Sequence, residues 1–315
     1  MRTENAIAAR VDTVFVSYNN RDTLLDGVEP LAAMADVTVT VVDNASPDDS
    51  LAVLDGLPVR AIQSGRNGGF GFGCNIGLAA GQAPYVLFLN PDARIERADL
   101  ECLVAVLDAE PDVAVVGPRM LDGEGGLIPN LRRRQRVSTI WAQAFFVHRV
   151  LPRSRWANEI DRDLTAHEAV AYPEWVSGAC MLARRDLLEQ IGGFDDGFFL
   201  YCEDMDLCTR LRAAGWRARY EPAAIVRHQE GRSAERTSLF KVLAQSRSRY
   251  ASKHMGRIAA RLAHAGLAVE ALTHAIVNVR RPANARGHVA ALRAMLRRKR
   301  AAGGRVPAEL GPDVA

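Results

Sequence analysis

The chain has 315 residues, 48% of them hydrophobic and 24% charged, with a net charge of +3. That is an ordinary globular composition, enough for one large domain with an extension or for two small domains, and its charge balance points to no particular partner; nucleic acid is not expected. Five cysteines without a CxxC pair argue against a zinc site or a disulfide framework and fit a reducing compartment. The opening MRTENAIAAR lacks the apolar core of a signal peptide, and no apolar run reaches the roughly 18 residues of a membrane span, so a cytoplasmic location is expected.

Residues 11–17 are apolar and β-branched and read as a buried strand, followed by a helix over 22–34 and a second strand over 37–42 that ends at Asp43. In DNASPDDS, Ser46 is placed to cap a helix, Pro47 to open it, and Asp48 and Asp49 to occupy its first turn. A third strand is expected over 59–63, and the glycine-rich SGRNGGFGFGCN then leads into a helix ending near Ala80. A fourth strand over 85–89 ends in Asn90-Pro91-Asp92; a helix over 99–109 and a fifth strand over 113–117 follow. This alternation predicts an α/β fold with a mostly parallel sheet and helices on both faces.

Beyond Gly117 the alternation stops. Residues 122–126 read as a hairpin tip, 131–172 as irregular with a basic run at Arg132, Arg133 and Arg134, 175–183 as a strand, and 186–191 as a short helix. The stretch GGFDDGFFLYCEDMDLCTRLRAAGW, residues 192–216, gathers acids around an aromatic run. Leu207, Leu211 and Ala214 then recur at helical spacing before Gly215. Strand-like pieces at 218–220 and 224–226 precede His228, and from Ser238 the chain reads as helical. Residues 258–279 carry apolar positions at Ile258, Leu262, Val269, Leu272, Ile276 and Val279. Residues 287–300 are amphipathic and basic, and from Ala271 to Ala308 there are nine Lys/Arg and no acid. The reading divides the chain into a catalytic unit over 1–236, with 131–172 as a candidate acceptor region, a basic helical extension over 237–302, and a disordered tail over 303–315. Such a basic extension suits an anionic membrane surface, with a solvated helix or a dimer contact as the alternative.

In an open parallel sheet, ligands bind beyond the carboxyl ends of the strands. Polar residues gather there in this chain: Ser17-Tyr18-Asn19, Asp43-Asn44, the segment from Asn67 to Asn75, and Asn90-Pro91-Asp92. Each alone also suits a turn. The glycine loop does not fit G-x-G-x-x-G and follows the third strand instead of the first, and no Walker A motif is present, although its N–H groups could face a diphosphate. Asp92 suits a hard divalent ion such as Mg2+, and His228 as a second ligand would favour Mn2+. A helix starting near Glu203 places Asp204 on its first turn at the mouth of a crevice, a position for a general base; acids at helix starts also serve capping.

The motifs VSYN, VVDNASPDDS, RNGGFGFGCNIG, FLNPDA, WVSGACMLARRD, GGFDDGFFLYCEDMDLCTRLRAAGW and VRHQEGRS, in this order over residues 11–236, resemble family 2 glycosyltransferases of the GT-A fold. Within that family they are similar to bacterial rhamnosyltransferases that extend lipid-linked cell-envelope glycans. The resemblance implies that Tyr18, Asn19, Asp43 and Asn44 contact the nucleoside, that Asn67, Gly69, Asn75 and Asn90 line the nucleotide pocket, and that Asp92 holds the metal, Mg2+ or Mn2+. Asn90 stands where the first Asp of the family's D-x-D motif would be. His228 would assist the metal and diphosphate, Gly231 and Ser233 would belong to a loop over the donor, and Trp175, Ser177 and Gly178 would face the acceptor. Asp204, beside Glu203, would be the catalytic base.

The chemistry implied is an inverting single displacement. One carboxylate takes the acceptor's proton, and a metal-neutralised nucleoside diphosphate leaves without a protein acid. The expected donor is dTDP-L-rhamnose, the acceptor a glycan or lipid-linked hydroxyl, and the location cytoplasmic, peripheral on the inner face of the cell membrane. The alternatives are a sugar-phosphate nucleotidyltransferase, which would release pyrophosphate, and a non-catalytic scaffold, against which Asp92, Asp204 and His228 argue.

Overall fold

A computed structural model of the protein describes residues 9–229 and 236–297. The first half follows the expected alternation, with one short strand, β5, that was not expected: β1 (Val11–Ser17), α1 (Arg21–Ala32), β2 (Val37–Asp43), β3 (Val59–Gln63), α2 (Phe70–Ala80), β4 (Tyr85–Leu89), β5 (Ala93–Ile95), α3 (Arg97–Ala109) and β6 (Val113–Leu121). After it come β7 (Leu127–Ile128), α4 (Val137–Ala144), α5 (Val147–Val150), β8 (Cys180–Arg184), α6 (Arg185–Gln190), α7 (Glu203–Ala213) and β9 (Arg217–His228). Three helices, α8 (Arg236–His254), α9 (Arg257–Val277) and α10 (Pro282–Arg297), complete the described chain.

The strands form one sheet in the order β3-β2-β1-β4-β8-β6-β9-β5, with β7 paired to β6. Strand β1 is parallel to β2 and β4, and β2 to β3, but β8 runs antiparallel to both β4 and β6. The sheet is mostly parallel, as the alternation predicts, with β5, β7 and β8 running against the other six strands. The chain enters β8 at the end of the sheet where β6 and β4 finish, so the peptide entering β8 lies beside the peptide leaving β4.

Side-chain alternation along the strands builds a core on each face. Phe15 and Leu87 pack with α1 and α3, through Leu24, Leu31, Leu103 and Leu107. Val14, Val16 and Phe88 pack on the other face with Leu78 of α2, Leu188 of α6 and Leu207 and Leu211 of α7. The glycines inside α2 serve this contact: a Cβ on Gly73 would stand 2.5 Å from Val16 Cγ1. Only a bare backbone lets α2 lie that close to β1.

Several boundaries depart from expectation. Ser46 does not cap a helix; a 3-10 turn begins later, at Ser50, after a left-handed Asp49 (φ 53°). The strand expected from Trp175 starts at Cys180, leaving 175–179 as an irregular approach to β8. The pieces at 218–220 and 224–226 are one strand, β9, whose register against β6 shifts between Pro118 and Arg119. The irregular 131–172 contains α4 and α5. Helices α8 and α9 dock on α4 around Ile140, Ala251, Ala263 and Leu267, while Tyr250 of α8 packs against Phe198, Cys202 and Met205. The expected tail, 303–315, lies outside the described residues. Among those described, no helix is long and apolar enough to cross a membrane.

One buried ion pair closes the end of the sheet away from these loops. Arg185, at the start of α6, reaches Asp12 Oδ2 at 2.6 Å and donates to the carbonyls of Ala83 and Leu78. Both side chains are under a tenth exposed. Removing the cation strands a buried carboxylate, so Arg185→Ala is expected to lower unfolding free energy by about 3–5 kcal/mol, read from urea denaturation.

Candidate active site

The carboxyl ends of β1, β2 and β4 bring the polar clusters to one edge. Ser17 and Asp43 are register partners, and the Asn44 N–H donates to Ser17 O at 2.8 Å. Asp43 is buried, and its carboxylate accepts from the Ser46 N–H (3.1 Å) and from the Ser46 hydroxyl, which itself accepts from the Asn19 N–H at 3.0 Å. Ser46 therefore orients Asp43 and the left-handed Asn19. Tyr18 is half-buried beside them, its N–H bound to Asn20 Oδ1 at 3.1 Å. The buried Ser17 Oγ and Asn44 Oδ1 have no partner. An unsatisfied buried polar atom costs about 1–3 kcal/mol, so two of them at a strand edge point to a ligand.

The glycine loop is stitched to the rest. Asn44 Nδ2 donates to Gly69 O (2.9 Å), Asn67 Oδ1 accepts from the Gly69 N–H (3.2 Å), and the Phe70 N–H donates to Phe199 O (3.0 Å). Gly69 is left-handed (φ 90°), and a Cβ there would collide with the Phe199 carbonyl. The Gly69 and Phe70 N–H groups are thus taken up within the protein and are not open to a diphosphate, so Gly69 shapes the pocket. Asn75 also sits apart from the strand edge. Its amide accepts from the Phe194 N–H (2.8 Å) and donates to Phe194 O (2.9 Å) and Asp196 (2.7 Å), fixing α2 to the segment before α7.

At the end of β4, Asn90, Asp92 and His228 meet. His228 Nε2 lies 3.0 Å from Asp92 Oδ1 and 3.3 Å from Asn90 Nδ2, because β5 pairs antiparallel with β9 and sets Ala93 opposite His228. His228 Nδ1 is buried without a partner. Gly231 and Ser233 lie outside the described residues.

Asp204 is held on the adjacent peptide. The Gly178 N–H donates to Asp204 Oδ2 at 3.1 Å, and the Met205 N–H to Oδ1 at 2.7 Å. The next peptide along, through Ala179 O, accepts from the Asn90 N–H at 2.9 Å. The turn before β8 therefore touches the Asp92 cluster with one residue and Asp204 with its neighbour. Gly178 fits because a side chain there would press on Phe70 Cε1 at 2.9 Å. Tyr201 and Cys202, both left-handed (φ 69° and 67°), swing the chain into α7 and aim its first turn at this point.

The two neighbouring acids are unlike. Burial pushes the Glu203 carboxyl well above its ordinary range, the Asp204 charge pushes it further, and Glu203 Oε2 has no partner. Burial also raises Asp204, but there the Gly178 N–H and the Arg132 guanidinium pull the other way. Glu203 is accordingly the protonated member and Asp204 the one that ionises first, as a base requires. The remaining acids are structural. Asp195 caps its own turn through the Gly197 N–H and pairs with Arg249 and Lys253. Asp206 is fully buried among Arg210, Lys253 and His254, which hold its carboxyl down at about 2 despite burial.

On the far side of Asp204, Trp175 donates its indole N–H to Arg133 O (2.9 Å) and lies under the Arg132 guanidinium (5.1 Å to the ring centre). The Ser177 N–H bonds Asn130 Oδ1 at 3.3 Å. Asn130 is fully buried with Nδ2 unpartnered, and neither it nor the placement of Arg132 was legible from the sequence, where an Asn in an irregular stretch reads as a turn residue.

The sequence pattern of "Glycosyltransferase like family 2" matches residues 9–252. The chain is 32% identical to the N-acetylglucosaminyl-diphospho-decaprenol L-rhamnosyltransferase of Mycobacterium tuberculosis over 246 residues, 72% of this chain and 78% of that protein. It is 30% identical to the rhamnosyltransferase WbbL of Escherichia coli over 167 residues, 51% of this chain and 60% of that one. In fold it resembles a mannosyltransferase from Pyrobaculum calidifontis, solved with GDP-Man and Mn2+, with a TM-score of 0.52 and 20% identity over 94% of this chain and 76% of that one.

A carboxyl raised by burial binds more protons in the folded than in the unfolded chain, so Glu203 costs stability as pH climbs from its unfolded value toward its folded one. Glu203→Gln, neutral and nearly isosteric, is expected to gain stability relative to the wild type between pH 5 and pH 8 in urea titrations, whereas a pH-independent difference would place the proton elsewhere.

Proposed function

Because the chain belongs to the family 2 glycosyltransferases, we propose that it moves L-rhamnose from dTDP-L-rhamnose to a hydroxyl of a glycan or polyprenyl-linked acceptor in cell-envelope polysaccharide synthesis, inverting the anomeric centre. The observation that carries this reading is the convergence at the turn before β8, where Ala179 meets the Asn90-Asp92-His228 cluster and Gly178 meets Asp204. A donor with its nucleoside at Tyr18, Asn19, Asp43 and Asn44, along the loop shaped by Asn67 and Gly69, would bring its diphosphate to Asp92 and its sugar toward Asp204. The two relatives named as rhamnosyltransferases support the sugar, and the mycobacterial one's printed substrate supports a lipid-linked acceptor. Such an acceptor sets the reaction at the inner face of the cell membrane.

In this reading Asp204 accepts the proton of the attacking hydroxyl. Its two N–H donors fix the carboxylate's orientation, Arg132 keeps it ionised, and the protonated Glu203 behind it adds no second charge. Trp175, Ser177 and Gly178 form the acceptor wall, while Asn75 braces the donor side from behind.

A Mg2+ or Mn2+ ion fits the donor set at Asp92. One carboxylate, one imidazole and the Asn90 amide cluster there, and no group of three or more His, Cys, Asp or Glu exists among the described residues. That suits a hard cation that takes its other ligands from diphosphate and water. When bound, it would neutralise the leaving diphosphate.

The test is thermal shift and product analysis across nucleoside diphosphate sugars. Preferential stabilisation and turnover with dTDP-L-rhamnose are expected, and turnover of a different donor alone would reject the sugar assignment. Asp204→Asn should keep donor-induced stabilisation and lower transfer by about 10²-fold or more, and near-normal turnover would remove Asp204 as the base. EDTA should stop transfer and added Mg2+ or Mn2+ restore it, whereas full activity in chelator would deny Asp92 a metal-binding role.

A further inference from the structure

Helix α9 carries its large apolar residues on the outside. The positions it buries are mostly small: Ala260, Ala263, Gly266, Leu267 and Ala271. They let it press close to α4, where a Cβ on Gly266 would stand 2.8 Å from Ile140. The positions that mark its periodicity in the sequence point the other way. Ile258 is 76% exposed and Ile276 62%, with Leu262 and Leu272 about half exposed between them. Spaced four, fourteen and eighteen residues from Ile258, these four fall within a band of about 80° at 100° per residue, a stripe running the length of a helix roughly 30 Å long. Phe145 extends it sideways: 59% exposed, it stacks on Trp141, whose indole bonds Leu262 O.

The surroundings of the stripe are cationic. Arg257, Arg261, Arg280 and Arg281 lie exposed along it and at its ends. Residues 236–297 contain twelve Lys/Arg and a single acid, Glu270. Glu270 is paired with Arg247. A soluble helix docked on a core normally turns its polar face outward. An apolar face rimmed by arginines, on described helices whose one acid is the paired Glu270, matches one environment, the interface of a negatively charged bilayer. A second copy of this chain would bring like charges together around the same stripe.

We propose that the outward face of α9, with Phe145, is a membrane-docking surface that lies in the plane of an anionic lipid bilayer. This assigns the contact to α9 instead of to the basic run at the end of the chain. It deepens the reading of a lipid-linked acceptor and rests on it for its purpose. Helix α8, packed between α9 and α7, holds Asp195 and Asp206 through Arg249, Lys253 and His254, so a docked α9 would set the distance of Asp204 from the lipid surface.

Flotation of the full chain with vesicles tests the surface without donor or acceptor, so its failure is separable from failure of the transferase assignment. The wild type should float with phosphatidylglycerol-containing vesicles and not with pure phosphatidylcholine. The triple variant Ile258→Gln, Leu272→Gln, Ile276→Gln should partition at least about tenfold less while keeping its melting temperature, because all three side chains are exposed. Equal partitioning of variant and wild type would overturn the proposal. So would a wild-type dimer in light scattering that the triple variant converts to monomer without any vesicle binding, which would assign the stripe to a second copy.

Discussion

The site depends on one reversal of chain direction. Were β8 parallel to β4, its N-terminal approach would lie at the opposite end of the sheet, and Gly178 could not reach the loop that follows Leu89. The antiparallel pairing sets Leu89 opposite Cys180 and lets Asn90 and Ala179 share a hydrogen bond. From that peptide outward, Asp92 and His228 fall on one side and Gly178 with Asp204 on the other. Parallel strands supply the Ser17, Asp43 and Asn44 end of the site, and the antiparallel insertion supplies the Gly178 and Asp204 end.

Electrostatics divides four acids on or near the first turn of α7 into distinct tasks. Asp206, fully enclosed, is held by Arg210, Lys253 and His254 and anchors α8. Asp195 joins the same network through Lys253. Glu203 pairs with no cation and its Oε2 has no partner, so burial holds its carboxyl well above the ordinary range, while Asp204 is fixed by two N–H donors with the Arg132 guanidinium pulling its carboxyl down. Sequence proximity would make four acids look interchangeable; their partners, drawn from β8, the Arg132 segment and α8, make them different.

Much of the strand and helix order was legible because each element of the first half has a clear period and a polar terminus. Asp43, Asp92, Asp204 and His228 stood out because each ends or begins such an element. What the sequence hid were consequences of long-range contact. The glycines of 68–73 read as a loop that could cradle phosphate, yet Gly73 is required by Val16 of β1, and the Gly69 N–H is held by Asn67. Ser46 has the right residue type for a helix cap, but the buried Asp43 carboxylate competes for its hydroxyl. Asn75, placed by its motif among nucleotide contacts, is claimed by Phe194 and Asp196, more than a hundred positions away. In α9 the period was visible but its direction was not, since small residues on the other face do not announce themselves as a core.

The side chains of α8 around Asp206 also bear on where this protein can be divided. The motifs end near residue 236, and a shortened version stopping there would look like a natural minimal enzyme. Such a truncation would strip Asp206 of Lys253 and His254 and Asp195 of both its cations, and would uncover Thr209 where the Tyr250 hydroxyl now sits 2.8 Å away. The helix bearing Asp204 would then carry an under-neutralised interior charge one turn from its start. For this chain, the smallest unit that keeps the partners of Asp195 and Asp206 beside the helix bearing Asp204 extends at least through His254.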